Sequence, residues 1–318
     1  MKHLHRWLAL AALAVPLFAQ AQAYPSKPIR VVVPFAVGSG TDIVTRVVID
    51  EMQKSMGGTF IVDNKPGASA QIAADFVAKS PPDGYTIFMG TNTAIAANPH
   101  LFKKLPYDPI KDFTPIARVN YFVFLLAVGN DLPVKTPKEL IARANASANG
   151  LTYGHGNSTG QVAGAHFVHG SKIKATVIPY KSTPPALTDL SSGQIDFIFV
   201  DLAASQSYLK GGRIRAIAVQ SDQRSALVPD LPPVGDTVPG YNFTAWGGLF
   251  GPAGMPRDIV ARLNAETNKA LASPTVKERM AAQGLEPAPM SVEEFNRFVP
   301  EQLVLWGERI RAAGIQPE

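Results

Sequence analysis

Ile29-Arg30-Val31-Val32-Val33-Pro34-Phe35-Ala36-Val37-Gly38-Ser39-Gly40-Thr41-Asp42 joins an apolar run to a loop of Gly, Ser and Thr, and residues 42–56 follow with helical spacing. Residues 29–35 have the unbroken hydrophobicity of a strand buried on both faces of a parallel sheet, while Ile43, Val47 and Met52 fall on one helical stripe. The stretch is therefore a βα unit with a small-residue loop at its turn. A second such loop, Gly156-Asn157-Ser158-Thr159-Gly160, lies between an extended and a helical segment in the other half of the chain. A helix start leaves backbone N–H groups without intrahelical partners and carries partial positive charge, so small residues there let an anion approach the bare backbone. Two such loops facing one cleft would hold both ends of a small organic acid.

The same alternation extends in both directions. Gly57-Gly58 closes the first helix, residues 60–62 read as a strand and 70–78 as a helix, and Pro81-Pro82-Asp83-Gly84 is a turn before a strand at 86–89. An extended segment at 122–128 marks a crossing into a second domain. Thr136-Pro137-Lys138-Glu139 has the pattern of a capping box with Pro at the first helical position. Strands at 151–153, 176–179, 197–200 and 214–219 then interleave with helices at 162–168 and 185–190. A proline-rich connector at 229–241 and an apolar, Gly-bearing run at 245–250 return the chain to the first domain, and the remainder is mostly helical. This order predicts an α/β protein of two mostly parallel sheets flanked by helices, with ligands beyond the carboxyl ends of the strands.

Composition narrows the function. Lys2 and Arg6, the apolar stretch 7–18 and Ala21-Gln22-Ala23 form a secretory signal over residues 1–23, leaving a mature chain from Tyr24 and predicting a periplasmic location. Removing the two basic residues of that segment leaves 28 basic against 25 acidic side chains, a net charge of +3. The basic residues are scattered, without interleaved aromatics, which excludes a nucleic-acid surface. The chain has no cysteine, so disulfides and thiolate chemistry are excluded.

Enzymatic motifs fail on spacing. Gly38-x-Gly40 lacks the third glycine of a dinucleotide fingerprint, because Ile43 occupies its place, and no Lys follows to make a phosphate loop. Gly156-Asn157-Ser158-Thr159-Gly160 matches the nucleophile elbow of serine hydrolases, which makes a periplasmic hydrolase the rival reading. That fold needs an acid and then a His after the serine, and the last histidine is His169 with no Asp or Glu between. His155, His166 and His169 have neither Cys nor carboxylate near them in sequence, so no metal is expected, and no cofactor.

Several runs together resemble one family, the substrate-binding proteins of tripartite tricarboxylate transporters, also called Bug proteins. They are Pro34 through Asp42, Asp83-Gly84-Tyr85-Thr86, Asn98-Pro99-His100-Leu101-Phe102 with Leu105-Pro106-Tyr107-Asp108, and Asp112-Phe113-Thr114-Pro115-Ile116. Pro179-Tyr180-Lys181, Pro185-Ala186-Leu187-Thr188-Asp189-Leu190, Gly193-Gln194-Ile195-Asp196, Trp246-Gly247-Gly248 and Pro252-Ala253-Gly254 continue the series in order. The resemblance implies a two-lobed periplasmic binding protein fold, with lobe 1 at residues 24–122 plus 245–318, lobe 2 at 123–244, and a hinge crossed twice. It further implies a monomer that is no enzyme and that closes on a small organic acid or amino acid. The cargo would pass to membrane permease subunits, or the closed form would signal to a sensor kinase. By position the family's ligand contacts fall on Phe35, Val37, Gly38, Ser39 and Asp42 in the first loop, and on Gly154, Asn157, Ser158 and Thr159 in the second. Thr91, Asn92, Tyr180, Lys181 and Asp201 stand at strand ends, and Asp42 is expected to brace its own loop. Ala36, Ser39, Ser158, Gln161 and Ser182 depart from the family's usual residues, which bears on ligand identity and leaves the fold unchanged. Lys65 and Lys181 could add long-range attraction for an anion, and Trp246 is expected in the core or hinge.

Overall fold

A computed structural model describes residues 24–221, 223–241 and 244–318; the signal segment expected at residues 1–23 lies outside the described residues. The first lobe opens with β1 (Ile29–Val33), whose side chains are buried apart from Arg30. α1 (Gly40–Met56) begins where the Ser39 hydroxyl accepts the Asp42 N–H, and it ends at Gly57 in the left-handed region, φ 64°. β2 (Phe60–Asn64), α2 (Gln71–Ala78) and β3 (Thr86–Thr91) complete a parallel set in which β1 pairs with both other strands. A π-helical turn, Thr93–Ala97, runs into the short α3 (Asn98–Leu101). β4 (Phe113–Phe122) ends this part of the lobe.

The chain then leaves one sheet for the other at Val123. β5 (Phe124–Gly129), α4 (Pro137–Ala146), β6 (Leu151–His155), α5 (Ser158–Ser171), β7 (Ala175–Pro179), α6 (Thr183–Ser191), β8 (Phe197–Asp201), α7 (Leu202–Lys210) and β9 (Ile214–Val219) build the second lobe. β10 (Ala245–Pro252) brings the chain back, followed by α8 (Arg257–Ala272), α9 (Pro274–Ala282), β11 (Leu285–Pro287) and α10 (Val292–Ala312). Strand order is β11-β4-β10-β3-β1-β2 in the first sheet and β7-β6-β8-β5-β9 in the second. In each sheet four strands share one direction: β1 to β4 in the first, and β6 to β9 in the second. β10 and β11 run against the first set and β5 against the second. The reversed neighbours β10 and β5 are the strands that open after each crossing, and with β11 they make the sheets mixed: the parallel pairings are β1 with β2 and β3, and β6 with β7 and β8.

Among the elements that sequence pattern missed, β4 and α7 are the longest. β4 carries Pro115, Arg118 and Asn120, which break any alternation, and its pairing with β10 and β11 rather than its own apolarity holds it. The capping-box expectation at α4 is half met. Thr136 accepts the Glu139 N–H, but the Glu139 carboxylate accepts from Lys135 N–H instead of from the cap. A reciprocal capping box stands at α10, between Ser291 and Glu294.

Packing ties the lobes together. One apolar cluster runs from Phe88, Ile95 and Trp246 in the first lobe to Val162, Ala163 and Phe199 in the second. Trp246 is fully buried against Phe250, Phe295 and Phe298, the core position expected for it.

Candidate functional site

Three helix starts and both crossovers meet between the lobes, around a narrow cleft. Thr41 reaches it from the start of α1, and Asn157 and Thr159 from the start of α5. Asp201 precedes α7, while Phe35, Thr91, Asn92 and Thr93 come from strand ends of the first lobe. Phe122, Phe124 and Ala245 line it from the crossovers. The two small-residue loops of the sequence therefore face one space.

The donors here are held in place by bonds that leave little freedom. Asn92 Oδ1 accepts the Trp246 N–H at 3.2 Å, which fixes the amide so that Nδ2 donates to Thr159 Oγ1 across the lobes at 2.8 Å. Since Thr159 Oγ1 is accepting, its own proton is left to donate. Asn157 Oδ1 accepts the Gly160 N–H at 2.9 Å and caps α5, so the amides at the first two positions of that helix have no intrahelical acceptor. Thr91 Oγ1 is buried on the cleft wall with no hydrogen-bond partner. An unpaired buried hydroxyl is costly, by about 1–3 kcal/mol, which favours any ligand able to meet it.

Asp201 is 4 % exposed and accepts the Ala204 N–H through Oδ1 at 2.8 Å, capping α7. Burial pushes its carboxyl up to about 6, against the downward pull of that backbone bond. Burial likewise lowers His155, at the end of β6, to about 4.

Of the residues singled out in the sequence, Phe35, Thr91, Asn92, Asn157, Thr159 and Asp201 line the cleft together. The others lie elsewhere, each for a local reason. Val37 is 66 % exposed and Gly38 also faces outward. Ser39 caps α1, and Asp42 braces its loop as expected, accepting from Gly38 N–H, Asn64 Nδ2 and Arg46 Nε. Gly154 packs beneath Tyr180 and Ile195 on the far side of β6. The Tyr180 hydroxyl donates to Asp189 at 2.6 Å, and Lys181 is exposed. Lys65 is paired with Asp63 and lies over the Phe76 ring, away from the cleft. The Ser158 hydroxyl donates across the lobes to Asn98 Oδ1 at 3.1 Å, a structural bond in a fully packed site.

Thr41, Thr93, Phe122, Phe124 and Ala245 line the cleft without having been singled out. Phe122 and Phe124 carried a usable signal, because they flank the crossing that the apolar run at 122–128 already located. Among the described residues no three His, Cys, Asp or Glu side chains group to hold a metal, and no helix is long and apolar enough to cross a membrane.

A two-lobed α/β body with an interlobe cleft, sealed by direct bonds between its walls, defines the class of periplasmic solute-binding proteins. Residues 44–315 match the model of the tripartite tricarboxylate transporter family receptors, TctC, and the chain belongs to that family. It is 36 % identical to a UPF0065 protein of Bordetella bronchiseptica over 97 % of this chain and 92 % of that one. The structure of R. palustris Rpa4515 with adipate superposes with a TM-score of 0.90 at 33 % identity, covering 93 % of this chain and all of that one. The periplasmic binding protein BugD superposes with a TM-score of 0.88 at 30 % identity, covering 93 % and 100 %.

Proposed function

We propose that this chain is a periplasmic receptor that captures a small carboxylate between its lobes, residues 24–122 with 245–318 and residues 123–244, and delivers it to the membrane subunits of a tripartite transporter. One observation carries the reading: the starts of α1 and α5, from opposite lobes, converge on a cleft whose lining holds hydroxyls, amides, aromatic rings and the carboxylate of Asp201, but no basic side chain. An anion is then held by neutral, fixed donors. Thr159, Asn157, Thr91, Thr41 and the first amides of α5 are the contacts we assign, with Phe35, Phe122 and Phe124 against the ligand's apolar part. Charge-assisted hydrogen bonds from fixed donors compensate the water that the carboxylate loses, and closure removes the rest. Adipate in Rpa4515, a dicarboxylate in a close structural relative, supports the ligand class.

No chemistry is assigned to the cleft. The serine of the hydrolase-like motif is committed to Asn98, and the family to which the chain belongs is one of receptors. The chain acts as a monomer without metal or cofactor. A sensory role without transport shares the same cleft and differs only in the partner of the closed form.

A panel of organic acids and their amides, tested by thermal shift on the chain from Tyr24, decides the reading. A bound acid at a hundredfold its Kd stabilises by about 2.7 kcal/mol, and its amide gives no comparable shift. Equal stabilisation by amides would refute anion capture.

A further inference from the structure

Among the residues lining the cleft, Asp201 alone carries an ionisable side chain. Its carboxylate is packed onto the first residue of α1: a Cβ added at Gly40 would stand 2.2 Å from Asp201 Oδ1. The partial positive charge at that helix start is thus already faced by a carboxylate of the protein itself, brought from the other lobe. The start of α5, by contrast, itself contributes the neutral Asn157 and Thr159 to the cleft lining. The two helix starts are therefore not equivalent: the backbone at the start of α1 has a carboxylate of the protein packed onto it.

A second observation marks the remainder of the cleft. Thr91 Oγ1, buried and without a partner, stands on the first-lobe wall, and three phenylalanines supply the apolar lining between the polar groups. A ligand with carboxylates at both ends would place one of them in the same desolvated space as Asp201, where like charges disfavour each other. A ligand with a hydrogen-bond donor at that end meets an acceptor instead.

Building on the carboxylate reading above, we propose that the cleft selects a monocarboxylate bearing a donor group, ammonium or hydroxyl, at its far end. The carboxylate lies at the start of α5, the donor on Asp201, and the apolar body between Phe35, Phe122 and Phe124.

Calorimetric titration of the chain from Tyr24 near neutral pH tests this with two matched sets. One is adipate, 6-hydroxyhexanoate and 6-aminohexanoate; the other is terephthalate, 4-(hydroxymethyl)benzoate and 4-(aminomethyl)benzoate. The expected result is that a donor-bearing acid binds about tenfold or more tightly than the diacid of its set, a ratio typical of one charge-assisted bond. Asp201→Asn, which keeps an N-cap acceptor for α7, should shrink that ratio to about threefold or less. Should the variant fold poorly, the wild-type ratio decides alone. A diacid that binds as tightly as its donor-bearing partners overturns the selectivity while leaving carboxylate capture standing, and so does failure of all six when other acids of the panel bind. If no acid of any kind binds, the parent reading falls with it.

Discussion

Asp201 and His155 occupy neighbouring strands of the second sheet, both are buried, and burial moves them in opposite directions. Asp201 rises from 3.8 to about 6, so in that interval the folded state holds a proton that the unfolded state has released, and stability falls as pH rises. His155 drops from 6.5 to about 4, so the folded state lacks a proton that the unfolded state binds, and stability grows as pH rises. The two windows overlap and their slopes oppose. In Asp201→Asn only the histidine slope of this pair survives. Acidification from pH 6.5 to 4 should cost the variant more stability than the wild type, by about 2 kcal/mol, most of the equivalent of the Asp201 shift. Urea unfolding at a series of pH values checks this; parallel profiles for the two proteins would show that Asp201 titrates normally.

At the scale of elements, the start of α1 is built from three residues with distinct tasks. Ser39 caps the helix, Asp42 ties the loop to Asn64 and Arg46, and Gly40 leaves room for the carboxylate arriving from β8. The glycine is needed here for space, since its backbone lies outside the left-handed region that favours glycine. Gly40→Ala puts a methyl group into Asp201, so either the carboxylate turns away or the lobes part. Ligand affinity should fall by about tenfold or more, on the scale of a buried group displaced from its bond, and small-angle scattering should show an expanded unliganded chain. Unchanged affinity would mean that the α1 start can shift freely. Elements also show where sequence reading stops. β1, α1, α5 and β9 were legible because each has its own periodicity and punctuation. β4 was not, because its polar residues are satisfied by tertiary partners: Arg118 donates to Ala288 O and lies between the rings of Tyr121 and Phe298.

For the whole molecule, the contact between lobes is part of the binding equilibrium. Asn92 to Thr159, Ser158 to Asn98 and Ala36 N–H to Ser182 Oγ are direct bonds between lobe walls, and parting the lobes breaks all three. A ligand that touches both walls shifts the population toward this form by its differential contact. Ser158→Ala removes one wall-to-wall bond and leaves Asn98 Oδ1 buried without that donor. It should weaken ligand binding by about 1 kcal/mol, roughly fivefold, with esterase activity undetectable before and after the change. A variant with native affinity would place this bond in the open form as well.

The sequence by itself determined the βα order, the two small-residue loops, the crossing near residue 122 and six of the residues that line the cleft. The first three depend on local periodicity and capping, which are written in neighbouring residues, whereas the six cleft residues were placed by the resemblance to the receptor family. Only the tertiary structure decided that Tyr180 serves Asp189, that Ser158 serves Asn98, and that the aromatic wall comes from the crossovers. It also set the carboxylate of Asp201 against Gly40, from 161 positions away along the chain, counting 201 minus 40. A side chain's partner is chosen by which strand ends and helix starts the two sheets bring within a few ångströms, and residues that far apart leave no local pattern by which to be paired.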